Sequence, residues 1–284
     1  MKKILFCTFF FAGVSFSVNA QRFGKLVKNF PGIESYSFRN SFAKNIPATL
    51  DTIKSMGITN IEFAGTYDKT ATEIRKLIDE RGLVCTSYGV GYNDLMQNTD
   101  EVATIAKTLG ASYIMVAWIP HDNKLGFTIE NAKKAVEDFN RVGKILREKY
   151  GITFCYHNHG YEFRTYENGT YFDYIVNNTN PKDVSFEMDL LWVVHPGADP
   201  VALLNKYKKR FQLMHLKDLR KGVIGDFSGN TPVVNDVIIG TGQIDMKAVM
   251  KAVRKTKIKH YYIEDESPYV TTQVPQSLAF LKSL

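Results

Sequence analysis

The sequence predicts an α/β protein that folds as a single (β/α)8 TIM barrel. Strand-like and helix-like segments alternate along most of the 284 residues, and one such barrel typically takes about 250 residues. Gly57, Gly82, Gly110 and Gly151 each separate a helical pattern from a following strand, and glycine is a common helix C-cap. An open dinucleotide-binding sheet would need a GxGxxG turn, which the sequence lacks. The closed barrel is therefore the favoured fold.

The predicted elements follow from periodicity and from the glycines and prolines that interrupt it. The strands are expected at residues 32–39, 58–63, 83–88, 112–118, 152–157, 184–189, 211–217 and 260–264. The helices are expected at residues 46–56, 70–80, 100–109, 128–150, 171–178, 200–207, 244–255 and 277–284. Each strand is thus followed by a helix, which makes all the strands parallel.

Residues 1–20 predict a secretory signal peptide. Met1 is followed by two lysines, residues 4–18 are mostly apolar, and residues 18–20 resemble a small-residue cleavage site. The apolar run is too short to span a bilayer comfortably, and no cysteine follows it to carry a lipid anchor. We expect the barrel domain to be residues 21–284, exported to the periplasm or secreted, and free of the membrane after cleavage.

Composition limits the kinds of partner that the mature chain is expected to bind. The net charge is +7 for the full sequence and +5 once residues 1–20, with two lysines, are removed. The positive charges are scattered, and no basic stripe interleaved with aromatic residues is present. This argues against a nucleic-acid partner. Cys85 and Cys155 lie in apolar runs on different predicted strands, so two buried free thiols are expected rather than a disulfide.

Four predicted strands end in chargeable residues, which is where barrel enzymes hold their catalytic side chains. The runs are CYHNH at 155–159, FEMD at 186–189, FQLMHLKD at 211–218 and YIEDE at 262–266. A buried parallel strand should otherwise be apolar nearly throughout. One such histidine would serve equally well as a hydrogen-bonded structural residue. Together, His157, Asp189, His215 and Glu264 predict a metal site.

At this point the sequence resembles the sugar phosphate isomerase/epimerase superfamily with the xylose isomerase-like TIM barrel. The matching stretches are SYSFR at 35–39, HNHGYEF at 157–163, EMDLLW at 187–192, HLKD at 215–218, GTGQID at 240–245 and YIE at 262–264. The resemblance implies one divalent metal (Mn²⁺, Mg²⁺, Co²⁺ or Zn²⁺) bound by a Glu, an Asp, a His and a second Glu. Asp189, His215 and Glu264 match the last three.

The first glutamate of that ligand set has no direct counterpart. His157 stands at the end of the fifth strand, where the resemblance predicts Glu, and Glu162 follows in the loop. His157 is the favoured fourth ligand because of its strand-end position, with Glu162 as the alternative. For Asp189 and Glu264 the alternative is a helix-cap or ion-pair role. Mixed oxygen and nitrogen ligands suit a borderline divalent ion, which would polarise a carbonyl as a Lewis acid.

Other side chains are candidates through their position. Lys217 lies two residues after His215 and should face the same side of its strand, where it would stabilise an enolate, bind substrate or pair with Asp218. His159 relates to His157 in the same way and is a candidate acid or base, or a hydrogen-bond partner behind the ligands. Four more residues near strand ends are candidates for substrate binding: Arg39, Glu62, Trp118 and Trp192. Salt bridges inside the barrel or core packing would explain these four equally well.

The leading functional prediction is a metal-dependent isomerase or epimerase that removes the proton α to the carbonyl of a keto-sugar or related polyol. With His157 in place of a glutamate, Glu264 would work with His159 or Glu162. The alternatives are a lyase, dehydratase or hydratase acting on keto-sugars or 3-keto-glycosides, and a non-catalytic sugar-binding barrel. The expected partner is a small carbohydrate, and a homo-oligomer is left open. The long segment 219–241 is expected to be a functional lid or disordered.

Overall fold

The computed structural model describes residues 23–122 and 124–284, and the predicted barrel is confirmed. Within these residues eight parallel strands close in chain order, so that the last strand pairs with the first. They are β1 Gly32–Glu34, β2 Asn60–Phe63, β3 Val84–Gly89, β4 Tyr113–Val116, β5 Thr153–His157, β6 Val184–Asp189, β7 Phe211–Leu216 and β8 His260–Ile263. The predicted signal peptide lies outside the described residues, and export remains a prediction.

Helices follow the strands in the alternation that the sequence predicts. They span Arg39–Phe42, Ile46–Ser55, Ala71–Asp79, Tyr92–Gln97, Thr99–Leu109, Ile129–Ile145, Tyr171–Asn178, Leu190–Val194, Pro200–Lys206, Met246–Val253 and Val270–Ser283. A π-helical turn, Leu146–Tyr150, extends the longest one, and a small hairpin joins Thr165–Tyr166 to Gly169–Thr170. Across residues 23–122 and 124–284, no helix combines the length and apolar character that crossing a membrane requires.

The first strand is shorter than predicted. The sequence predicts residues 32–39 as a strand, but the chain turns into a 3₁₀ helix at Ser35–Phe38. The Ser37 hydroxyl accepts a hydrogen bond from the backbone N–H of Asp265 at 3.0 Å. This bond ties the turn to the segment after β8 at the mouth of the barrel, where a longer strand would have projected past its neighbours.

The last helix is longer than predicted and contains a proline. It spans Val270–Ser283, whereas the sequence predicted a helix over residues 277–284 only. Pro275 removes one backbone donor inside the helix. Val274 and Leu281 are both fully buried, so packing of this face outweighs the lost hydrogen bond.

A small cluster of buried side chains from β4, β5, β7 and β8 fills the inside of the barrel. Its members, called here the interior cluster, are Tyr113, Cys155, Leu213 and Tyr262. Side chains of this kind make a barrel interior a packed core rather than a pore. Cys85 and Cys155 are buried free thiols, as predicted. The interior cluster is the floor on which the polar site is built.

Candidate metal centre and active site

Strand alternation places the candidate ligands directly above this apolar floor. Three of them lie two residues beyond members of the interior cluster along the chain: His157 and His215 on their strands, and Glu264 one residue past the end of β8. Because side chains two residues apart face the same side of a strand, all three turn into the barrel at its carboxyl end. Asp189 joins them from the end of β6.

The four side chains converge on one point. His215 Nδ1 lies 2.8 Å from Glu264 Oε2, 3.1 Å from His157 Nε2 and 3.8 Å from Asp189 Oδ2. His157 Nε2 lies 3.3 Å from the same Asp189 oxygen. One ligand atom from each of the four residues lies within 4.8 Å of all the others. The sequence-predicted set with His157 as its fourth member is thus brought together.

The residues present fit a divalent ion. Asp189 Oδ2 is buried and has no hydrogen-bond partner among the described residues, an arrangement that is costly unless a cation compensates it. Two imidazole nitrogens face each other across the same point. Two nitrogen and two carboxylate donors form a set that binds borderline divalent metals such as Zn²⁺.

Asn158 fixes Asp189 beside His157, a role that the sequence reasoning missed. Its side-chain amide donates to the Asp189 carbonyl and accepts from the Asp189 N–H, both at 3.1 Å. Asp189 Oδ1 also accepts a hydrogen bond from the Trp192 N–H at 2.8 Å and caps the helix Leu190–Val194. One carboxylate oxygen is therefore held by the helix while the other is left for the ligand cluster.

Two buried acids, Glu62 and Glu187, lie beside the second ring nitrogen of His215. Its Nε2 lies 2.5 Å from Glu62 Oε1 and 3.3 Å from Glu187 Oε1. Burial alone would lower the pKa of His215, but these carboxylates and Glu264 raise it well above its usual value. Glu62, predicted to bind substrate, is instead fully buried beneath the histidine. A carboxylate behind a ligating histidine fixes its tautomer and orientation.

The Glu62→Gln variant is therefore expected to bind a divalent metal about 10–100-fold more weakly, the usual cost of losing such a partner. Competition titration with a chromophoric chelator measures this. Glu73→Gln, which alters an exposed carboxylate on the helix Ala71–Asp79, is the control and should leave the affinity unchanged. Equal affinity in both variants would contradict the role given to Glu62.

The ligand cluster opens into a cavity of about 480 Å³ at the carboxyl ends of the strands. His159 and Trp192 line it, and their rings stack at 4.6 Å between centroids. Burial, followed by the nearby His157, lowers the pKa of His159 to about 3. Its imidazole is thus neutral near pH 7, which suits it to hydrogen bonding with substrate rather than to taking up a proton.

Three other predicted site residues do not line this cavity in the described part of the chain. Glu162 is fully buried, and its Oε1 accepts hydrogen bonds from the Tyr156 hydroxyl and the His159 N–H. It braces the turn after β5 instead of joining the ligands. Trp118 packs edge-on against His159 at 5.1 Å. Arg39 stacks on the ring of Tyr36 and thus supports the cavity rim from outside.

Lys217 is buried behind the cavity, among carboxylates. Its Nζ lies 2.9 Å from Glu266, 3.3 Å from Glu264, 3.7 Å from Asp236 and 3.9 Å from Asp189. Burial alone would lower the pKa of Lys217, but these neighbours raise it. In turn, Lys217 and His215 outweigh burial and hold the pKa of Glu264 well below its usual range. Lys217 therefore keeps Glu264 ionised, and substrate contact is left to the residues in front.

Asp236 and Glu266 also line the cavity, and sequence reasoning did not single them out. Glu266 follows β8 in the run YIEDE, so its place near the strand ends was visible in the sequence. Asp236 lies in the irregular segment 219–241, far from any strand end. The sequence pointed to that region only through the unusual length of the segment.

The fold and site define a barrel with a candidate metal centre at the carboxyl ends of its strands. Residues 50–284 match the model of the xylose isomerase-like TIM barrel family, and the chain belongs to that family, as the resemblance predicted. Inosose dehydratase 1 of Bacillus cereus is 25% identical over 201 residues, which cover 70% of this chain and 63% of that protein. The match thus spans less than two thirds of the length of that relative.

Two solved structures extend the comparison over nearly the whole barrel. A sugar phosphate isomerase/epimerase of Parabacteroides distasonis ATCC 8503 is 26% identical, covers 89% of this chain and 96% of that chain, and has a TM-score of 0.72. The IOLI protein, crystallised with a zinc atom, is 16% identical, covers 89% and 95%, and has a TM-score of 0.69. The first shows that similar proteins include sugar enzymes, and the second shows the shared fold.

Proposed function

We propose that this protein is a metal-dependent carbon–oxygen lyase that removes water or an alcohol from a keto-sugar or keto-polyol. One observation carries the proposal: the acid–base groups around the ligand cluster are asymmetric. At the ligand positions themselves, Glu264 is an ionised carboxylate, whereas His157 stands where the resemblance implied a second, proton-transferring glutamate, and the neighbouring His159 is neutral. Elimination needs one base for the α proton, while epimerisation needs a proton-transfer group on each face.

The residues that would hold the metal are His157, Asp189, His215 and Glu264. When bound, a divalent ion supplies Lewis-acid polarisation of the substrate carbonyl. The zinc atom in the IOLI structure supports a divalent ion in a barrel of this kind. Metal analysis of the purified protein identifies the ion.

The remaining chemistry belongs to side chains of this chain. Glu264 accepts the proton from the carbon next to the carbonyl, and Lys217, 3.3 Å from its Oε1, keeps that carboxylate ionised beforehand. The neutral His159 hydrogen-bonds a substrate hydroxyl, and the Trp192 ring stacked behind it excludes water from that side. Similarity to an inosose dehydratase supports elimination as the outcome.

A second candidate is the isomerisation or epimerisation that the sequence analysis placed first. Identity of 26% with a solved sugar phosphate isomerase/epimerase favours it. It shares the first proton abstraction and would then return a proton to the opposite face. His159, the histidine that lines the cavity beyond the ligands, has a pKa of about 3, so near pH 7 it carries no proton to return.

Incubation in D₂O with added Mn²⁺ separates the two reactions. The substrates are inosose, a set of keto-sugars and methyl and 4-nitrophenyl 3-keto-glucosides. We expect release of water or alcohol, with an unsaturated ketone as the carbon product, from at least one of them. Deuterium at the α carbon of a recovered epimer, without release of a leaving group, would instead establish the epimerase.

A further inference from the structure

Asp236 brings a second carboxyl group to the cavity from the long segment 219–241. The residue is only 4% exposed, yet it lines the cavity. Its Oδ2 accepts a hydrogen bond from the Glu266 N–H at 2.9 Å and lies 3.7 Å from Lys217 Nζ. Among the described residues the carboxyl forms no other hydrogen bond. One carboxyl oxygen is thus held, and the other has no protein partner.

The part of the segment that carries Asp236 is firmly anchored. The Asp218 carboxylate accepts hydrogen bonds from the backbone N–H groups of Gly240, Gly242 and Ile244 at 2.8, 2.9 and 3.1 Å. The backbone of Asp236 itself forms a bridge with Leu219. These contacts place Asp236 at the fixed base of the segment, so its carboxyl keeps a defined position relative to Glu264.

The surroundings of the Asp236 carboxyl favour its protonated form. Burial raises the pKa of Asp236 to about 7, with Lys217 opposing the rise and Glu266 and Glu264 adding to it. Both carboxyls flank the same ammonium group, at 3.3 Å for Glu264 and 3.7 Å for Asp236. The cavity is therefore lined, beside Glu264, by a fixed carboxyl group that can hold a proton near neutrality.

We propose that Asp236 is the general acid that protonates the departing oxygen, a role that rests on the elimination proposed above. Glu264 takes the α proton, and the electrons of that C–H bond form the new carbon–carbon double bond. The bond between the β carbon and oxygen breaks with its electron pair on oxygen, and the Asp236 proton moves to that oxygen. Water or an alcohol leaves, no oxidant or reductant is needed, and exchange with solvent restores both carboxyls.

The test is the dependence of the Asp236→Asn variant on the leaving group. Asparagine can still accept the Glu266 hydrogen bond but has no acidic proton to give. Elimination of methanol from methyl 3-keto-glucoside is expected to fall by about 10²–10⁴-fold, the usual contribution of general acid catalysis. Elimination from 4-nitrophenyl 3-keto-glucoside should stay close to wild type, since 4-nitrophenolate leaves without a proton. The same comparison can be made with inosose, whose hydroxyl needs a proton to leave, and its analogue with fluorine on the β carbon, which loses fluoride without one. Asp236→Asn should slow the first and spare the second.

The control is Asp226→Asn, which changes an exposed carboxylate of the same segment that bonds Ser228. It should react like wild type with both glucosides. If Asp236→Asn slows both glucosides equally, or slows neither, Asp236 is a structural residue and the proposal is overturned. A wild-type protein that exchanges the α proton of these substrates without expelling either group would overturn the elimination itself, and the acid role with it.

Discussion

The Lys217→Met variant is expected to lose about 3–5 kcal/mol of unfolding free energy, the usual cost of removing one partner from a buried ion pair. Lys217 is 1% exposed, and its ammonium is the positive charge shared by Glu264, Glu266 and Asp236. Without it, the Glu264 carboxylate stays in the buried cluster beside Glu266 and Asp236 with no ammonium to offset its charge. Urea denaturation of the metal-free protein, followed by circular dichroism, measures the loss.

Lys206→Met is the matched control for this experiment. Lys206 pairs with Asp173 at 2.8 Å, but its side chain is 53% exposed. Exposed ion pairs contribute at most about 1 kcal/mol, so this variant should be nearly as stable as the natural protein. If the two methionine variants unfold at the same urea concentration, Lys217 is not the charge on which the carboxylates depend.

The barrel and the ligand cluster could be predicted because both follow from strand periodicity. A run such as FQLMHLKD is apolar and then abruptly chargeable, and parallel strands in a closed barrel all end at the same rim. His157, Asp189, His215 and Glu264 therefore had to lie near one another once the fold was assigned. Only the choice between His157 and Glu162 needed the structure.

The residues that support the cluster could not be predicted, because their partners are distant in the sequence. Asn158 holds the backbone of Asp189 across two strands, and Glu62 reaches His215 from the opposite part of the barrel. Asp236 meets Lys217 through an irregular segment with no periodic pattern. Such contacts depend on tertiary packing and not on any local preference of the chain.

The helix-cap alternative for Asp189 shows that a structural and a functional role can coincide. Its Oδ1 caps the helix Leu190–Val194 while Oδ2 faces the histidines. The sequence reasoning treated these roles as competing. The cap fixes the side-chain rotamer, and a fixed rotamer is what a preorganised ligand requires.

The last prediction concerns the fourth ligand. Loss of a residue that only supports a ligand weakens metal binding by about 10–100-fold. The His157→Ala variant is expected to lose more affinity than this, because His157 Nε2 points at the ligand centre. Activity should fall with metal content and return in part when excess metal is added. His260→Ala, at the start of β8 and outside the ligand set, is the control and should keep its metal.

Glu162→Ala is expected to behave differently in kind. It leaves the Tyr156 hydroxyl and the His159 N–H without their acceptor, and each unpaired buried group costs about 1–3 kcal/mol. This variant should keep its metal and lose stability, together with the part of the activity that depends on the position of His159. Metal stoichiometry of the dialysed variants by mass spectrometry decides the matter. If Glu162→Ala lost the metal and His157→Ala kept it, the ligand assignment would be reversed, and His157 would become the better candidate for the base.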